Sequence, residues 1–212
     1  MMRPCAHQSS WLWASLGAWL LAGGLSAAAA IDTDAIGKPW PKQRAHELEV
    51  GRHQVRWRQK ASRREGVFAG VRFTAPYPRQ AVWQLSSDYS SVGTMTPGVA
   101  AVRFVERSPT RQVIDIDVHV LWKTVTLTFE VEQEPPEVLR FRLRNELLGE
   151  FRGVSIYEEV PQSDGGVGTR VELSTWLKPA RPLPLGLLLL VERMTLLQGV
   201  KRFLETCDQR LR

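Results

Sequence analysis

Cysteine is almost missing from this chain of 212 residues, which has two, Cys5 and Cys207. Cys5 lies in a segment read below as a removable leader, so the processed chain would hold Cys207 alone and no internal disulfide. Cys207 follows Leu204 by three positions and precedes Leu211 by four, the spacing of a small buried residue on a helix rather than of a reactive thiol. Histidine is also scarce. His7 is in the leader, His46 and His53 lie in a basic stretch and His119 sits on an outward strand position, none with a cysteine or second histidine at metal-ligand spacing. The patterns GxSxG, HExxH and GxxxxGK[ST] are absent, and the glycine-rich loop Gln162–Gly168 joins two strands, whereas a nucleotide loop opens a helix. No repeat of about 20 to 50 residues occurs. Past the N-terminus, no apolar run is long enough to span a bilayer. A disulfide scaffold, a zinc site and a nucleotide cradle are thereby excluded, and no cofactor is expected.

What is present begins with a leader. Residues 1–30 carry one charged side chain, Arg3, then the apolar run Trp11–Leu25 and the small-residue tail Ser26–Ala30, the layout of a secretory signal peptide. Cleavage after Ala28 or Ala30 fits the small-x-small rule. Gly17, Gly23 and Gly24 interrupt the run, which argues against an uncleaved anchor. The expected localisation is therefore periplasmic or secreted. Residues 31–45, with Gly37, Pro39 and Pro41 and no periodicity, read as a linker or mobile arm, leaving 46–212 as a single domain.

Removing Arg3 from 28 basic against 22 acidic residues leaves about +5 on the processed chain. The excess gathers in Lys42–Arg64, which holds Arg44, Arg52, Arg56, Arg58, Lys60, Arg63 and Arg64. Export and the shortage of stacking aromatics beyond Trp57 exclude nucleic acid as a partner. A solvated hairpin face is the simplest account of the cluster, and peripheral contact with anionic lipid headgroups is the alternative.

Glu47–Val50 and Gln54–Gln59 flank Gly51, predicting a hairpin, and Val67, Ala69, Val71 and Phe73 alternate as a strand that stops at Ala75–Pro78. Arg79–Ser86 reads as a short helix, followed by a turn near Asp88–Val92 that Asp88 is placed to cap. Strands are then expected at Val99–Arg107, Ile114–Trp122, Val125–Val131, Val138–Leu147, Phe151–Val160 and Thr169–Leu177. A Lys123–Thr124 turn would set Trp122 against Val125, Val118 against Phe129 and Ile116 against Val131, placing Asp117 opposite Glu130 and Asp115 opposite Glu132. The next strand would relieve that repulsion, with Arg140 beside Glu132 and Arg142 beside Glu130. These arginines argue against calcium at the carboxylates.

Prolines 179, 182 and 184 precede a long helix starting near Leu185, where a residue lacking an N–H is tolerated. Its apolar positions are Leu187, Leu190, Val191, Met194, Leu197, Phe203, Leu204, Cys207 and Leu211, with Glu192, Lys201, Arg202, Glu205 and Arg210 between them. An antiparallel sheet around this helix makes the domain α+β. Asp88, Glu150, Glu158 and Glu159 are candidates for acid or base work only where they line a cavity.

The order strand, two short helices, antiparallel strands and one long closing helix, with Ala75-Pro76, Val82-Trp83-Gln84-Leu85, Ser87-Asp88-Tyr89, Met95-Thr96-Pro97-Gly98-Val99 and the Pro182–Leu211 segment, resembles the START-like, polyketide cyclase superfamily. It is most similar to domains of the coenzyme Q-binding, ubiquinone-chaperone type. The resemblance spans about Glu47 to Arg212. It implies a helix-grip fold in which a curved sheet grips the last helix around a cavity for a lipid, sterol, quinone or polyketide. The residues expected to line it are Val118, Val120, Trp122, Phe129, Phe141, Leu143, Leu173 and Thr175 from the sheet and Leu187, Leu190, Met194 and Leu197 from the helix. A close-packed dry core would give the same pattern. The reading that follows is a non-enzymatic exported binder or carrier of a hydrophobic small molecule. Its alternatives are a cyclase or aromatase-like enzyme using a cavity acid, with Asp88 or Tyr89 assisting, and an interaction module using the basic hairpin at a membrane or protein surface.

Overall fold

The structure is a computed structural model that describes residue 36 and residues 46–91, 99–120, 123–145, 149–163, 165–181 and 184–211. Nine strands, β1 (His46–Val50), β2 (His53–Ser62), β3 (Gly66–Ala75), β4 (Val99–Arg107), β5 (Arg111–Val120), β6 (Lys123–Glu134), β7 (Val138–Asn145), β8 (Gly149–Pro161) and β9 (Val167–Lys178), form one antiparallel sheet. Their spatial order is β1-β2-β3-β9-β8-β7-β6-β5-β4. Helix α1 (Arg79–Ser86) and a 3-10 turn at Tyr89–Ser91 follow β3, and helix α2 (Leu185–Arg210) closes the chain. The leader lies outside the described residues. In the arm that follows it, Ile36 is described, and it is buried.

Alternation decides which face is inside. Val67, Ala69, Val71 and Phe73 of β3 pair with Leu177, Thr175, Leu173 and Val171 of β9, and the buried residues of β3 all belong to this set and Ala75, apart from Gly70. Carrying the register across the sheet puts Gly153, Ser155 and Tyr157 of β8, Leu139, Phe141 and Leu143 of β7, Leu127, Phe129 and Val131 of β6, and Ile114, Ile116 and Val118 of β5 on the same side. The other face carries ion pairs, among them Arg72–Glu172 at 2.8 Å and Arg142–Glu130 at 2.6 Å.

The expected pairing of β6 with β7 is observed, with Glu132 opposite Arg140 and Glu130 opposite Arg142. That of β5 with β6 is corrected. Val118 faces Val125, Ile116 faces Leu127 and Ile114 faces Phe129, because Val120 pairs with Lys123 and the connection is residues 121–122, not Lys123–Thr124. The slip is even, so every inward residue stays inward. It also replaces the acid-against-acid contacts: Asp117 and Asp115 face Thr126 and Thr128, whose hydroxyls donate to them at 2.6 and 2.7 Å. Arg103 of β4 closes the cluster with an ion pair to Asp117.

The first hairpin turns on Gly51, at φ 60°, a conformation only glycine adopts without strain. It extends the sheet beneath α2. Gln59 Nε2 donates to the Leu189 carbonyl at 2.7 Å, the Arg193 guanidinium lies 4.7 Å from the centre of the Trp57 ring, and His53 Nε2 lies 3.3 Å from Asp208 Oδ2. As the number falls along β2 it rises along α2, so the helix runs antiparallel over this strand. Its backbone approaches β3 and β2 most closely, while α1 lies against β8 and β9.

Candidate functional site

Helix α2 buries Leu188, Leu196, Val200, Leu204 and Cys207. The first four, with Glu192, form a row in which each residue follows the last by four, Glu192 standing midway between Leu188 and Leu196. An acid therefore occupies the middle of the inward stripe. Its Oε1 lies 2.6 Å from Thr175 Oγ1, and that hydroxyl is also 3.3 Å from the Ala69 carbonyl. Burial pushes the Glu192 carboxyl above the usual range, and the hydrogen bond to Thr175 offsets this only in part.

On the inward face of the sheet are apolar side chains that remain half-buried: Ile116, Leu127, Phe129, Phe141 and Leu173. The backbone of α2 stands closer to β2 and β3 than to β5–β7. Phe141 lies flat over Gly153, where a Cβ would come within 2.0 Å of Phe141 Cζ. Phe151 continues the surface, its ring centre 5.8 Å from that of Phe141.

Of the residues predicted to line a cavity, Val118, Leu143 and Thr175 are buried, and Phe129, Phe141, Leu173, Met194 and Leu197 are half-buried. Leu187 and Leu190 point outward, 43% and 52% exposed, and the inward positions beside them are taken by Leu188 and Glu192. Trp122 and the side chain of Val120 lie outside the described residues. The carboxylates named from the sequence take other roles. Ser90 and Ser91 donate to Asp88, which caps the 3-10 turn and is held below its ordinary range by those bonds. Glu150 pairs with Arg152 at 2.5 Å, Glu158 with Arg170, and Glu159 is exposed. Glu192 was missed because a charged residue among leucines reads as the polar face. Its spacing of four from both Leu188 and Leu196 was the available signal.

Tyr157 is buried beneath α1, edge-on to Trp83 with ring centres 5.3 Å apart, and burial pushes its hydroxyl up to about 12. Burial likewise raises Tyr89 and takes the Cys207 thiol to about 12. These groups are neutral near pH 7, so the thiol is not a nucleophile there. At the far end of α2, Asp208 receives Arg52 Nη2 at 2.6 Å and the Tyr77 hydroxyl at 2.9 Å beside His53. Burial disfavours its charge, but the bonds from Arg52, Tyr77 and His53 prevail and hold the carboxyl at about 2. The basic hairpin is partly neutralised, since Arg56 pairs with Glu47 at 2.8 Å and Lys60 with Glu65 at 3.9 Å.

An antiparallel sheet holding a long C-terminal helix, with two short helical segments after β3, defines a helix-grip fold of the START and Bet v 1 type. The chain belongs to the family described as polyketide cyclase / dehydrase and lipid transport, whose model matches residues 75–204. The match leaves out the β1–β2 hairpin and nearly all of β3. Among solved structures, the Zhui aromatase/cyclase from Streptomyces sp. R1128 is similar at TM-score 0.56 and 16% identity, covering 74% of this chain and 96% of that one. The STAR-related lipid transfer protein from Xanthomonas axonopodis is similar at TM-score 0.56 and 15% identity, covering 77% and 98%. At these identities the likeness concerns the fold. No curated protein matches the chain.

Proposed function

We propose that this chain is an exported, non-enzymatic binder or carrier of a hydrophobic small molecule, lipid or quinone-like, held between the first half of α2 and strands β5–β9. The observation that carries this reading is the set of half-buried apolar side chains, Ile116, Leu127, Phe129, Phe141 and Leu173, on the inward face of a sheet whose helix lies nearest β2 and β3, from which we infer a hollow over β5–β9. Apolar surface left in a concave site is what a greasy ligand covers on binding, at about 25 cal/mol per Å². Family membership is consistent with transport, and the signal-peptide layout of residues 1–30 supports export. Native mass spectrometry of the gently purified mature chain tests the proposal. A copurifying lipid or quinone is expected; a chain of bare mass with no affinity for quinones, fatty acids or phospholipids refutes it.

Glu192 favours one second reading, an enzyme of the cyclase kind in which this carboxyl moves a proton on a ligand bound in the hollow. Under that reading a bound ligand is chemically changed over time by the wild type and unchanged by E192Q. A ligand recovered intact from both leaves the carrier.

A further inference from the structure

Glu192 has no base paired with it among the described residues. At the described inward positions of β3 to β9 the bases are Arg107, on edge strand β4 with its guanidinium over the Phe104 ring, and Lys123, at the first position of β6, and none interrupts the row Leu188, Glu192, Leu196, Val200, Leu204 on α2. The arginines Arg72, Arg142 and Arg152 belong to the outer face, where they meet Glu172, Glu130 and Glu150. A carboxylate or phosphate head brought beside Glu192 would lose its hydration and meet an acid with no cation paired to it. An uncharged oxygen group has no such difficulty.

Glu192 is arranged to meet one. Thr175 has a single hydroxyl proton and two acceptors within reach, Glu192 Oε1 at 2.6 Å and the Ala69 carbonyl at 3.3 Å. When the proton points to Glu192, the second oxygen of a protonated carboxyl is left as an O–H donor. When the carboxyl donates to Thr175 instead, Thr175 passes its proton to Ala69 and the second oxygen is left as an acceptor. In both arrangements Oε2 meets no hydrogen-bond partner among the described residues. Glu192 is half-buried and this oxygen is left open, so a bound molecule can supply its partner.

We propose that Glu192, oriented by Thr175, is the polar anchor of the hollow, and that it selects apolar molecules bearing one uncharged oxygen group, a carbonyl or a hydroxyl, over hydrocarbons and over anionic amphiphiles. The inference rests on the binding reading above and names the ligand class for that site. Backing by a threonine on the rigid centre of the sheet, between β3 and β8, fixes the direction of the acid, as a selective site requires.

Four probes on one skeleton test it: 2-acetylnaphthalene, 1-(2-naphthyl)ethanol, 2-ethylnaphthalene and 2-naphthoate, titrated into the mature protein and followed by intrinsic tryptophan fluorescence. The wild type is expected to bind the ketone or the alcohol about fivefold to tenfold more tightly than the hydrocarbon, the worth of one net hydrogen bond, and the naphthoate weakest. Preference for the ketone assigns Oε2 as donor; preference for the alcohol alone assigns it as acceptor. E192L is expected to bind the hydrocarbon as well as the wild type does or better, and to lose the preference. E192Q keeps an amide that can donate or accept and retains most of it, and T175V loses part of it. A wild type that does not discriminate, a naphthoate that binds best, or a preference that survives E192L overturns the anchor while leaving a hollow that binds hydrocarbon. Absence of binding by all four probes to both wild type and E192L removes the binding reading itself.

Discussion

The two halves of α2 differ in almost every respect. From Gly199 onward the helix is fastened: Val200, Leu204 and Cys207 are buried to 4%, 1% and 0% exposure, and Asp208 is held by Arg52, Tyr77 and His53. Before it, Leu187 and Leu190 are exposed, Met194 and Leu197 are half-buried and an acid occupies the inward row. On the proposal above, stability and selectivity lie at opposite ends of one element. The end that holds packs like any core, and the end proposed to receive a ligand keeps exposed leucines and a carboxyl with one oxygen open. Local stability is uneven in most folds, and binding regions come from its lower end.

Removing the side chain of Leu204 should break the fastened end most severely. Leu204→Ala is expected to cost about 3 kcal/mol in denaturant unfolding, because its contacts are complete and the space cannot collapse, while Leu190→Ala stays within about 0.5 kcal/mol. Equal costs at the two positions would erase the contrast. Asp208→Ala should cost about 1 to 2 kcal/mol by stranding Arg52, His53 and Tyr77. Its acid dependence has a definite sign: a carboxyl lowered from 3.8 to about 2 contributes stability that is complete above about pH 4 and is lost as the pH falls through 2. Wild type should lose that stability over this window, and Asp208→Asn should lose less.

Glu192 gives the opposite slope. Its folded value is raised above 4.5, so between the two values the folded chain holds a proton that the unfolded chain has released, and stability declines as the pH rises through this range. Glu192→Leu should flatten the curve there without lowering the acid limit. An unchanged slope would mean that the carboxyl is hydrated and ionised in the folded chain. The smallest effect sharpens the boundary between the halves. Gly199 is an exposed helical position with nothing within 4 Å of where a Cβ would stand, so Gly199→Ala should add about 0.5 to 1 kcal/mol by helix propensity alone, with probe affinities unaltered.

Much of this molecule was legible in its sequence, for reasons that also explain what was not. Strands such as Val67–Phe73 announce themselves through alternation, and α1 from Arg79 to Ser86 and the start of α2 at Leu185 are set by the prolines just before them. In the β5–β6 hairpin, alternation fixed which residues face inward but not their partners, because a turn without glycine or asparagine leaves an even slip undetected. The phase of the first half of α2 was hidden differently. Leu187, Leu188, Leu189 and Leu190 are apolar all round, so periodicity does not choose among them, and the choice comes from tertiary contacts at Gln59, Trp57 and Thr175. The contribution of the β1–β2 hairpin to holding α2 is a matter of sheet order, which no local pattern carries.

The central claim is that an apolar molecule enters over β5–β9 beside the first half of α2 and leaves the fastened half undisturbed. Methyl NMR spectra of the leucine-labelled mature protein, titrated with 2-ethylnaphthalene, test it directly. The account predicts saturable shifts at Leu127, Leu173 and Leu197 with Leu204 unmoved. Shifts confined to Leu204 or to the exposed Leu187 and Leu190, or no shifts at saturation of the probe's solubility, would contradict it.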